Sequence, residues 1–141
     1  YEVITGKELA NINLTMVRGL EGVKEAAIPV GNLTVKVAVA NGLGNARKLM
    51  DKIRSGEADY HFIEIMCCPG GCIGGGGQPI PTTMEIRGRR VEAIYKVDAG
   101  MKLRKSHESP VVKQIYEEFL GQPLGHKSHE LLHTHYTPRS R

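Results

Sequence analysis

The chain has 141 residues, 40% of them hydrophobic and 24% charged, with a formal net charge of +4. That is one ordinary globular domain in size, neither disordered nor membrane-embedded, since no apolar run approaches the roughly 20 residues that cross a bilayer. Its three cysteines lie within six residues, which excludes a secreted disulfide framework and favours reducing, cytoplasmic surroundings.

Taken in order, Tyr1-Glu2-Val3-Ile4 opens inside an apolar pattern, so Tyr1 reads as a boundary within a larger protein. Thr5-x-x-Glu8 has the form of a capping box and predicts a short helix around Leu9 and Ile12. Residues 18–26 read as a loop leading into strands. Ala26–Val30 and Leu33–Ala40 form two strands, joined by Gly31-Asn32, a pair that tolerates the positive φ of a tight hairpin. In the second strand Val35, Val37 and Val39 alternate with Thr34, Lys36 and Ala38, and the valine face is expected inside.

Asn41-Gly42-Leu43-Gly44 follows as a strand-to-helix turn. Arg47 stands where a dinucleotide fingerprint needs its third glycine, so the turn is read as structural. Ala46, Leu49, Met50 and Ile53 recur at helical spacing, and Gly56 falls where a cap ends the helix. Tyr60–Met66 is the next strand. The order strand, helix, strand predicts a parallel pair, and sites in parallel sheets form beyond the carboxyl ends of the strands.

At that end lies Met66-Cys67-Cys68-Pro69-Gly70-Gly71-Cys72-Ile73, then Gly74-Gly75-Gly76-Gly77-Gln78-Pro79. Thiolates are soft ligands for iron–sulfur clusters, zinc or copper(I), and glycines let the backbone wrap closely round a ligand. A structural zinc site wants two thiolate pairs, and only one Cys-x3-Cys pair is present. A redox-active dithiol or a buried cysteine pair would also use these residues. His61 reads as a strand side chain and Glu64 as a hydrogen-bonding support for the turn.

Downstream, Val91, Ile94, Tyr95, Val97 and Met101 predict a helix over Arg89–Leu103, ending near Gly100. Ser109-Pro110 caps another, with Val111, Val112, Ile115, Tyr116 and Phe119 as its apolar face and Gly121 at its end. His126, His129, His133 and His135 crowd the terminus and are read as structural hydrogen-bonding groups, with metal binding as the alternative. Thr137–Arg141 is expected to fray. The sum is an α/β fold: a partly parallel β-sheet with flanking helices, followed by an α-helical carboxyl-terminal tail.

Residues 87–141 carry 11 Lys/Arg against 6 Asp/Glu, whereas residues 1–86 carry 8 against 9. A basic half suits an acidic redox partner or an acidic neighbouring lobe, and no nucleic-acid-binding motif accompanies it.

Glu64-x-Met66-x-Cys68-Pro69-Gly70-Gly71-Cys72, with Gly75-Gly76-Gly77-Gln78-Pro79, resembles the third signature motif of the iron-only hydrogenases. Arg18–Ala26, Tyr95-x-x-Asp98, Arg104-Lys105-Ser106 and Ser128–Tyr136 extend the resemblance along nearly the whole chain. It implies residues 1–86 as one lobe of the H-cluster domain and residues 87–141 as a helical, small-subunit-like tail. It further implies that Cys68 binds a 4Fe-4S cubane, that Cys72 binds the cubane and bridges to a two-iron subsite, and that Met66 lines that subsite. Gly70, Gly71, Gly75, Gly76, Gly77 and Gln78 would cradle the cofactor. Cys67 and Gly74 depart from the family's usual alanine and asparagine, and Cys67 has no role in the motif.

The implied activity is reversible reduction of two protons by two electrons to H2. The implied partners are the amino-terminal half of the same subunit, ferredoxin or NAD(P)-linked electron-transfer modules, and maturation proteins. The family's other two cubane ligands belong to earlier motifs, so the segment alone is expected to be inactive. A hydrogenase-like iron–sulfur protein of the assembly or prelamin-A recognition factor kind is the alternative.

Overall fold

The computed structural model describes residues 1–139; Ser140 and Arg141, the last of the expected frayed end, lie outside it. The chain divides into two compact units, Tyr1–Tyr95 and Lys96–Arg141.

The first unit is built on a three-stranded mixed sheet in the order β1-β2-β3, with β1 at Val23–Val30, β2 at Leu33–Asn41 and β3 at Phe62–Met66. β1 and β2 form the expected antiparallel hairpin, Val30 opposite Leu33, and Gly31 takes φ +61° at its turn. β1 begins three residues earlier than the hydrophobic pattern suggested, because Val23 to Glu25 pair with Ala40 to Ala38. β3 runs parallel to β2, Val37 opposite Phe62 and Asn41 opposite Met66, as the crossover order requires.

The crossover is α2, Leu43–Arg54. It lays Ala46 and Leu49 on Ala38 and Ala40 of β2, with Val23, Met50, Tyr60 and Ile63 packed round the edge. Here the structure corrects the burial expected of β2. Ala38 and Ala40 are completely buried, while Val35 and Val37 are only half-buried and Val39 alone of the three valines is inside. Small side chains under the helix let it approach the sheet closely, and that contact is the core.

The amino terminus departs from expectation too. The helix is α1, Glu2–Thr5, closed by Gly6 at φ +65°, and residues 8–14 are not helical. Thr5 ends a helix instead of opening one: its hydroxyl donates back to the Tyr1 carbonyl at 2.8 Å, and although it accepts from Lys7 N–H at 3.2 Å, the left-handed Gly6 turns the chain out of the helical path.

α3, Met84–Gly100, starts five residues before the expected helix. The Thr83 hydroxyl accepts from Ile86 N–H at 3.2 Å, which draws the start back.

In the second unit Arg104 is bound to Asp98 at 2.6 Å, an ion pair that accounts for two positions of the tail pattern. α4, Pro110–Ile115, continues as a wider π-type turn over Tyr116–Leu120 and stops at Gly121, φ +81°. Val111, Ile115 and Phe119, the apolar face read from the sequence, remain exposed in this chain, while Leu120 is buried. α5, His126–Leu132, is anchored by the buried Ser128, whose hydroxyl donates to the carbonyls of Gln122 and Gly125 at 2.9 Å each. The His129 and His133 rings stack at 4.3 Å.

Candidate iron–sulfur site

β2 and β3 end together. The Met66 carbonyl accepts from Gly42 N–H at 2.7 Å, tying the end of β3 to the turn that opens α2. The cysteine turn therefore leaves from the carboxyl edge of a parallel pair, beside a helix start. Cys67 and Cys68 follow, Gly70 and Gly71 take φ +81° and +77°, and Gly71–Gly74 closes one 3-10 turn. Two successive left-handed residues reverse the chain, a conformation glycine adopts freely. Gly71 N–H donates to the Cys68 carbonyl at 2.9 Å, and Gly75 N–H to the Cys72 carbonyl at 3.3 Å.

The reversal places Cys68 and Cys72 in one loop, both as free thiols. Cys68 is half-buried; Cys67 and Cys72 are exposed. A Cβ on Gly75 would stand 3.2 Å from the Cys68 sulfur and one on Gly71 would stand 2.9 Å from the Met66 sulfur. Side chains at either position would crowd the sulfurs the turn presents. Gly76 and Gly77 face open space, and Gln78 reaches back to the Cys72 carbonyl with its side-chain amide at 3.5 Å.

The Cys67 and Cys68 sulfurs are 3.8 Å apart. Hydrogen bonding with Cys67 and its nearby charge push the Cys68 thiol above its ordinary value, and the Arg87 guanidinium pulls in the opposite direction. Two accessible soft donors beside a glycine-lined space fit half the ligand set of a cubane, which needs four.

Four side chains not singled out from the sequence shape this region. Arg90, on α3, donates to the Ile73 carbonyl at 2.9 Å and to the Pro79 carbonyl at 2.7 Å, clamping both ends of the glycine run. Arg87, one turn earlier, lies against Gly70 and Gly74. Lys24 and Asn41 are buried beneath the turn and line a cavity of about 270 Å³ with Glu64, Met66, Cys72 and Tyr95. Burial holds the Lys24 ammonium below the usual lysine value, against the opposing charges of Glu21 and Glu64. Glu64, expected to support the cysteine turn, thus lines the same cavity as Lys24. The legible signal for the arginines was their spacing: Arg87, Arg90, Val91 and Ile94 recur on one helix face.

A larger cleft, about 590 Å³, lies between α1 and the β1–β2 turn. Its lining, including Tyr1, Ile4, Val30 and Leu33, holds no cysteine, histidine or carboxylate.

The family described as iron only hydrogenase large subunit, C-terminal domain, matches residues 1–76, and iron hydrogenase small subunit matches residues 84–139. The NADP-reducing hydrogenase subunit HndD of Solidesulfovibrio fructosivorans is 50% identical over 142 aligned residues, covering 100% of this chain and 24% of the relative. A probable cytosolic Fe-S cluster assembly factor of Drosophila erecta is 42% identical over 111 residues, covering 75% of this chain and 22% of that protein. Among solved structures, an apo variant of the [FeFe]-hydrogenase HydA1 from Chlamydomonas reinhardtii superposes with a TM-score of 0.74 at 44% identity, over 96% of this chain and 41% of the other. The chain thus spans about a quarter of the length of these curated relatives. With its matched family covering the sheet, the cysteine turn and the strands that position it, this chain belongs to the iron-only hydrogenase family.

Proposed function

We propose that this chain is the carboxyl-terminal part of a hydrogenase catalytic subunit, and that it supplies two of the cysteine ligands of the active-site H-cluster. The observation that carries the reading is the Cys68–Cys72 loop at the carboxyl end of parallel β3, with Gly75 leaving room at the Cys68 sulfur. Cys68 would hold the 4Fe-4S cubane, Cys72 would hold the cubane and bridge to the two-iron subsite, and Met66 would stand beside that subsite. Gly70, Gly71, Gly75, Gly76, Gly77 and Gln78 form the surrounding cradle.

When bound, the iron group supplies the reversible chemistry between two protons, two electrons and H2. The residues of this chain ligate, enclose and orient it. Two thiolates leave a cubane two ligands short, so activity belongs to the complete subunit and not to residues 1–141 alone. Residues 1–86 act as one lobe of the H-cluster domain and residues 87–141 as the small-subunit-like tail. Partners are the amino-terminal half of the same subunit, maturation proteins, and ferredoxin or NAD(P)-linked electron-transfer modules, the last in keeping with an NADP-reducing relative. Three free thiols suit a cytoplasmic location. Among the described residues, no helix is long and apolar enough to cross a membrane.

The likeness to an iron–sulfur assembly factor motivates a second reading, a cluster-binding protein without hydrogenase activity. Infrared spectroscopy of the full-length protein, matured anaerobically, separates the two. Bands of bound carbon monoxide and cyanide are expected; iron–sulfur absorbance without them would move the assignment to the second reading.

A further inference from the structure

Arg87 sends its side chain from the first turn of α3 into the cysteine turn. Its Nε lies 2.7 Å from the point where a Cβ on Gly74 would stand, and its Cδ lies 3.5 Å from the corresponding point on Gly70. The Nε is buried and has no hydrogen-bond partner among the described residues, while Nη1 donates only to the Met84 sulfur at 3.5 Å. A buried guanidinium N–H left unpaired is costly, and an acceptor bound in the cysteine turn is one group that would satisfy it.

Gly74 makes this approach possible. A side chain at that position would collide with Nε and with the Pro69 carbonyl, 2.8 Å away. Arg90, by contrast, is committed to two backbone carbonyls and has a structural task. The two arginines on one helix face therefore do different work.

We propose that Arg87 is a positioning and tuning residue for the cluster bound at Cys68, donating its Nε–H to a sulfur of that cluster and placing a fixed positive charge beside it. This rests on Cys68 and Cys72 being cluster ligands. Reduction of a cubane adds one electron, drawn in the test from a chemical titrant such as dithionite. A fixed cation and a hydrogen bond to sulfur both favour the reduced form, so Arg87 raises the reduction potential.

The test is a redox titration of the full-length protein, expressed without maturation proteins and followed by electron paramagnetic resonance of the reduced four-iron cluster, with iron and sulfide assayed in parallel. In Arg87→Met the ratio of oxidised to reduced cluster at the wild-type midpoint is expected to rise tenfold, a fall in potential of about 59 mV for one electron. Arg87→Lys, which keeps the charge, should fall by less than half as much. A Met variant with wild-type iron content and an unchanged midpoint overturns the role of Arg87 and leaves the cluster reading intact. If the Met variant does not load, Arg87→Gln and Arg87→Lys decide the matter: Gln must lie below Lys, and equal midpoints overturn the proposal. Wild-type protein that binds no iron overturns the cluster reading, and this inference with it.

Discussion

The Met66 sulfur sits 2.9 Å from the point where a Cβ on Gly71 would lie, so the strand end and the cysteine turn interlock through an absent side chain. Gly71 also holds φ +77°, which an L side chain adopts at a cost of about 1–2 kcal/mol. Gly71→Ala is expected to displace Met66 and open the loop. Iron content of the full-length variant should fall by about half or more while its circular dichroism stays near wild type; full iron loading would show that the interlock does not govern the site.

The three thiols are not equivalent. Cys68 and Cys72 stand at the two ends of the reversal, whereas Cys67 precedes it and its sulfur lies 3.8 Å from that of Cys68. Cys68→Ser and Cys72→Ser should each abolish stable four-iron loading, and Cys67→Ser should leave it unchanged. Iron and acid-labile sulfide analysis of the three full-length variants checks this. Loss of the cluster in the Cys67 variant alone would reverse the assignment.

Arg90 bridges Ile73 and Pro79 across the glycine run. Hydrogen bonds from a charged donor contribute about 1.5–3 kcal/mol each when well shielded, and this side chain is only partly buried, so Arg90→Ala should cost about 2 kcal/mol in all. The loss should appear first as faster amide exchange over residues 73–80 with little change in β1 or β2. Uniform exchange across the sheet would instead indicate global unfolding.

Tyr60 donates its hydroxyl to Glu25, linking the approach to β3 with β1. That hydrogen bond holds the Glu25 carboxyl below its usual value, with Lys52 assisting. Burial, then the same bond and the Glu25 charge, push the Tyr60 phenol up to about 12. A lowered carboxyl adds stability above its unfolded value and loses it as pH falls through the folded one. A raised phenol adds stability below its ordinary value near 10 and loses it as pH rises through about 12. The full contribution therefore spans neutral pH. Since Glu25 is exposed, solvent screening limits it to about 1 kcal/mol. Tyr60→Phe should lower the denaturation midpoint at pH 7, and the gap from wild type should close at both extremes. A gap that does not depend on pH would point to packing rather than the hydrogen bond.

What the sequence determined by itself was everything set by neighbours along the chain. Gly31-Asn32 specifies a hairpin because both residues accept the turn's backbone angles, and the apolar spacing of Ala46, Leu49, Met50 and Ile53 specifies a helix with one inward face. Strand, helix and strand in that order require a parallel pair, and so put Cys68 and Cys72 at its carboxyl end. Composition and period could not reach further. Ala38 and Ala40, not the valines, make the floor under α2, because burial on a sheet depends on which face the helix covers. The capping-box pattern at Thr5 failed because Thr5 is the last residue of α1 and Gly6, in the left-handed region, ends the helix there. The spacing of Arg87 and Arg90 puts them on one helix face, but their partners in the cysteine turn emerge only when α3 is placed against it. Tertiary structure decided which cations lie against the cysteine turn and which buried polar atoms, Arg87 Nε and Asn41 Oδ1, have no partner among the described residues.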